Sequence, residues 1–104
     1  MEKGHSNLLL KAFGKRIREL RTERGYSQEA FADKCGVHRT FMGTIERGES
    51  NLSFQNIAKV ATTLGVPLST LFLDLEDKAR ILAAQLGAPA AQPRKSRRLP
   101  KLRP

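Results

Sequence analysis

Four glycines, Gly25, Gly36, Gly48 and Gly65, each close a stretch in which apolar residues recur every three or four positions. That period belongs to the α-helix, and a glycine placed just after it is where a helix ends. The chain is thereby divided into short helices, and no stretch alternates apolar and polar residues as a half-buried strand would. With 104 residues, it is expected to form one all-α domain with a modest core, followed by a tail.

The first helix is expected to start near Ser6 or Asn7 and to bury Leu10, Phe13, Ile17 and Leu20, with Lys11, Lys15, Arg16, Arg18 and Arg21 on its other faces. Ser27 reads as the N-cap of a second helix. Tyr26 and Phe31 have hydrophobic-staple spacing around it. Cys35-Gly36-Val37 makes a turn, and a third helix runs from about His38 to Arg47. Ser53 caps a fourth, whose inner stripe is Ile57, Val60, Ala61 and Leu64, with Leu52 and Ile57 as its staple pair. Pro67 opens a short fifth helix containing Leu71 and Phe72. Asp74 is placed as the cap of a sixth, in which Leu75, Ala79, Leu82 and Leu86 recur at helical spacing. That last stripe is either a dimer seam or a face folded back on its own domain. The expected sections are a compact unit over 7–73, an added helix over 74–87 that serves dimerisation, and a basic tail over 88–104. The tail holds four prolines and six basic residues without an acid. It has too little to bury and is expected to be disordered.

The formal net charge is +9, from 19 basic and 10 acidic residues. The surplus lies in the first 47 residues and in the tail, while the stretch between them is close to neutral. A basic half suits a polyanionic partner, although charge of this kind also serves plain solubility. Cys35 is the single cysteine, so no intrachain disulfide can form, and it reads as a small buried apolar residue. With only His5 and His38 beside it, no zinc site can be completed, and no metal or cofactor is expected. No apolar run nears the roughly 20 residues needed to span a bilayer. The N-terminus lacks the apolar core of a signal peptide. The expectation is a cytoplasmic protein, and with no nucleophile–base pair or metal cluster, not an enzyme.

The informative stretch is Ser27–Gly48: a helix, a tight turn plugged by Val37, and a second helix. On that second helix Met42 and Ile45 share one side. Thr40 and Thr44 lie opposite, with Arg39 and Gly43 on one flank and Phe41 on the other. Threonines and a glycine are poor helix formers, and no Glu–Lys pair at spacing four supports this face. It suits the major groove of double-stranded DNA. There an arginine pairs with guanine, a threonine meets base edges and Gly43 permits close approach. The competing reading is a solvated face with one charge. Arg47, at the far end of the helix, is read as a phosphate contact. Phe41 braces the backbone, touches a thymine methyl or packs partly into the core.

The segment from about Phe13 to Phe72 resembles the helix-turn-helix domain of the Xre family, the phage-repressor and Cro-like regulators. The matching pieces are Ile17-Arg18-Glu19-Leu20-Arg21, Tyr26-Ser27-Gln28-Glu29 with Ala32, and Gly36-Val37. They continue with Ile45-Glu46-Arg47-Gly48, Ile57 to Ala61, and Leu64-Gly65-Val66 with Leu71-Phe72. The resemblance implies a five-helix domain that regulates transcription, as a repressor, and acts as a homodimer on a palindromic operator. By position it makes Gln28 a phosphate contact and Arg39, Thr40 and Thr44 the base readers, with Gly43 beside them. It also implies a structural ion pair between Arg21 and Glu46. Arg39-Thr40-Phe41 with Asn51-Leu52-Ser53 is similar, more narrowly, to the controller proteins of restriction–modification systems. The family usually has Ser, Thr or Asp where His38 stands. Histidine is a poorer N-cap, so His38 is read as a plain surface residue or as a donor to phosphate. Leu71, Phe72 and Leu75 are the expected dimer interface. Two other functions fit the same features: an antitoxin that binds a toxin and autoregulates its operon, or a helix-turn-helix adaptor. A protein partner such as a toxin or polymerase is left open.

Overall fold

The computed structural model describes residues 3–87, with side chains from Leu8 onward, and the tail over 88–104 expected to be disordered lies outside the described residues. Among the described residues there are six helices and no strand. They are α1 (Lys3–Glu23), α2 (Gln28–Cys35), α3 (Arg39–Glu46), α4 (Phe54–Leu64), α5 (Leu68–Leu71) and α6 (Leu75–Gln85). The first helix begins earlier than the expected Ser6 or Asn7. No proline stands ahead of those residues to stop the hydrogen-bond ladder, which runs on to Lys3.

The caps of α2 and α4 are the expected serines. Ser27 and Ser53 are both extended, and their side chains accept hydrogen bonds from the N–H groups of Ala30 and Asn56 at 3.0 Å each. The staple rings of Tyr26 and Phe31 meet with centroids 5.5 Å apart. Asp74 behaves differently. It stands before α6 in the left-handed region, at φ 53°, and makes no side-chain cap bond. Aspartate tolerates that conformation better than most residues.

Ile17, Phe31, Met42, Ile45, Val60 and Leu71 are fully buried, so α1 to α5 each contribute to one core. Arginines at and just beyond α1 tie it to the later helices. Arg16 donates through Nε and Nη2 to the carbonyl of Thr70 in α5, and Arg24 donates through Nε to the carbonyl of Leu64 at the end of α4 at 2.8 Å. Both cations meet carbonyls in the last turn of a helix, where the partial negative charge of the helix end favours them. α1 also approaches α3 at Gly14, where a Cβ would lie 2.4 Å from the Ile45 carbonyl oxygen. Only glycine fits there.

The α6 stripe folds back on its own domain. Ala79 and Ala83 are buried, Leu75 and Leu82 are half-buried, and Leu86 stays exposed. Cys35 is buried beneath α4. Burial pushes its thiol up from the ordinary value, only partly opposed by a hydrogen bond with Thr63 and the charge of Lys59.

Candidate nucleic-acid interface

α2 and α3 are joined by a three-residue turn whose geometry depends on Gly36. At φ 77° it occupies the left-handed region that side chains disfavour, and its N–H reaches the Asp33 carbonyl at 3.1 Å. Val37 follows with its N–H on the Ala32 carbonyl at 3.0 Å, which closes the end of α2. Val37 packs partly buried against the core.

A polar cluster then fixes α3 relative to α1 and α2. Arg21 Nε donates to Glu46 Oε2 at 2.7 Å and Arg21 Nη2 donates to Glu46 Oε1 at 3.0 Å, a two-pronged pair. The third prong, Nη1, reaches the Tyr26 carbonyl at 2.8 Å. Gln28 Nε2 adds a donor to Glu46 Oε1 at 3.0 Å. Side chains from α1 and α2 thus converge on one carboxylate at the end of α3. The two charged side chains are only 9 % and 4 % exposed.

The other residues singled out from sequence separate into exposed and occupied groups. Arg39 and Thr40 stand exposed at the start of α3, and Arg47 is exposed just past its end. Arg39 Nη1 donates to Glu29 Oε2 at 3.0 Å, and Arg47 Nε donates to Glu49 Oε1 at 3.1 Å. His38 is the N-cap of α3 after all. Its Nδ1 accepts from the Thr40 N–H at 3.1 Å, so a neutral ring carries its proton on Nε2.

Gly43 and Thr44 are less open than the groove-facing reading requires. Gly43 is buried under Gln28 and Arg47, whose Oε1 and Nη1 would lie 3.4 and 3.2 Å from a Cβ. Its smallness seats those two side chains. Thr44 is half-buried, and its hydroxyl bonds the Phe41 carbonyl at 2.7 Å and the Ser50 hydroxyl at 2.6 Å. With its one proton on Phe41, that hydroxyl ties α3 to the loop before α4.

The residues assigned to a dimer seam also divide. Leu71 is 0 % exposed inside the core, so it has no side-chain surface to offer a second copy. A helix of four residues, α5, turns Leu71 inward and leaves Phe72 41 % exposed. Phe72 still stacks on Phe13 at 5.4 Å. Leu75 is half-buried, whereas Leu73, which no sequence period singles out, is 54 % exposed. Glu29, Ser50 and Gly14 escape the sequence reading as well. Each acts on a residue brought close only by the turn or by helix crossing, and no local period announces it.

The HTH_3 helix-turn-helix family model matches residues 17–71, which spans the last part of α1 through α5. The chain belongs to that helix-turn-helix family. It is 42 % identical over 65 residues to the control protein C.MunI of Mycoplasma sp, an alignment covering 62 % of this chain and 88 % of that one. Among solved structures, the restriction–modification controller protein C.AhdI from Aeromonas hydrophila superposes with a TM-score of 0.59 at 48 % identity, over 61 % of this chain and 96 % of that chain. A variant of C.Esp1396I, solved bound to its highest-affinity operator site, superposes with a TM-score of 0.61 at 30 % identity, over 69 % of this chain and 95 % of that chain. The Xre-like domain and the all-α fold expected from sequence are therefore those of the family.

Proposed function

We propose that this family member is a sequence-specific DNA-binding regulator of transcription, a repressor that acts as a homodimer on a palindromic operator. The observation that carries the reading is the start of α3. Arg39 and Thr40 stand exposed there, on a helix locked to α1 and α2 by the Arg21–Glu46–Gln28 cluster. Rigid placement matters because base readout requires donors held in fixed positions against groove edges. Arg39 and Thr40 read bases, and Gln28, His38 and Arg47 meet phosphates. The likeness to controller proteins, one solved on operator DNA, supports the same reading.

The exposed Phe72 and Leu73, with the half-buried Leu75, form the homodimer face. The tail over 88–104 adds phosphate contacts through its six cations. Among the described residues no single helix is long and apolar enough to cross a membrane, and we place the protein in the cytoplasm with its DNA. Selection of bound sequences from random duplexes tests the function. A two-fold symmetric consensus with half-sites about one turn, roughly 34 Å, apart is expected. Recovery of no consensus would overturn it.

A further inference from the structure

Glu29 and Arg39 stand on different helices, at the start of α2 and the start of α3, and both line an open cleft of about 620 Å³. Asp33 and His38 line the same cleft. Arg39 Nη1 donates to Glu29 Oε2 at 3.0 Å, and the two side chains are 63 % and 68 % exposed. A pair this exposed contributes little to folding. A carboxylate beside the proposed groove-facing residues also repels phosphates, so neither stability nor raw affinity accounts for it.

Direction does account for it. A guanidinium carries five N–H donors in a rigid planar fork, and the contact with Glu29 occupies only one edge. With Nη1 held, the long side chain loses much of its freedom, and donors remain for the O6 and N7 acceptors of guanine. We propose that Glu29 is the positioning residue for Arg39, setting which base edge the arginine meets and trading general DNA affinity for discrimination at that base pair. This rests on the reading of Arg39 as a base contact given above.

Discrimination and affinity therefore respond differently to the loss of Glu29. A well-placed arginine–guanine pair discriminates by about 5- to 150-fold. Glu29→Gln removes the charge without changing the shape, and its exposure means the fold and melting behaviour should be retained. Titrations at fixed salt would compare wild type, Glu29→Gln, Arg39→Ala and the double variant. The duplexes are the selected operator, the operator substituted at the base pair Arg39 reads, and scrambled DNA. Glu29→Gln should lower discrimination at that one base pair by about three- to tenfold, while affinity for scrambled DNA holds or rises. In the Arg39→Ala background it should lower discrimination no further. Undiminished discrimination in Glu29→Gln, or an equal loss with Arg39 already absent, would overturn the positioning role alone. A wild-type chain with no preference for any duplex would overturn the DNA-reading proposal beneath it.

Discussion

Arg21 and Glu46 form a two-pronged ion pair, Nε to Oε2 at 2.7 Å and Nη2 to Oε1 at 3.0 Å, that joins α1 to the last residue of α3. Both side chains are nearly excluded from water. In Arg21→Met the Glu46 carboxylate keeps only Gln28 as a side-chain donor, and the Tyr26 carbonyl is left without the Arg21 guanidinium. Breaking one side of such a pair costs about 3–5 kcal/mol, because a buried charge is left behind. Urea unfolding followed by circular dichroism should show a destabilisation of that size, with base preferences kept in the fraction that remains folded.

Gly14 offers a second test of how α3 is held. A Cβ there would press on the backbone carbonyls of Ile45 and Glu46, at 2.4 and 2.5 Å, and backbone cannot move aside as a flexible side chain can. Gly14→Ala should therefore destabilise by about 1–3 kcal/mol through overpacking, even though alanine is the better helix former. Thermal melting of the variant, with a lowered Tm, is the expected outcome; an unchanged or raised Tm would mean that α1 can shift freely.

What can be read from sequence alone follows from which forces are local. The serine caps at Ser27 and Ser53, the Tyr26–Phe31 staple and the apolar periods depend on residues within one or two turns of each other, and they are legible. So is the exposed start of α3. Helical phase places Gly43 and Thr44 on the outer side, yet neighbouring side chains and the Ser50 loop cover them. Leu71 reads as outward from sequence because the way a one-turn helix sits on the core is not a local property. Glu29 and Arg39 are not connected by any sequence signal, since ten positions and a left-handed turn separate them.

Assembly can be separated from folding at α5. Leu71→Ala empties a core site and should cost about 2–5 kcal/mol of stability. Phe72→Glu and Leu73→Glu place charge on exposed positions and should shift the monomer–dimer equilibrium with a smaller effect on melting. Sedimentation across micromolar concentrations checks this. Both exposed variants remaining as dimeric as wild type would move the interface elsewhere.

The tail makes a prediction in salt. Removing residues 88–104 takes away six basic residues and should leave the consensus site unchanged. For every phosphate that the tail neutralises, its removal should flatten the dependence of log K on log salt by about 0.9. Full-length and truncated proteins should converge in affinity as salt rises. Identical slopes would mean that the tail takes no part in binding.

In the proposed complex Arg39 at the start of α3 reads a base, while Gln28 at the start of α2 meets the phosphate backbone. Arg39→Ala and Gln28→Ala, measured against every single substitution of the selected operator, separate those two roles. Arg39→Ala should cost about 1–3 kcal/mol at one base pair and relax the preference there. Gln28→Ala should weaken binding to all sequences alike. Equal, sequence-independent losses from the two variants would contradict the division of labour between Arg39 and Gln28.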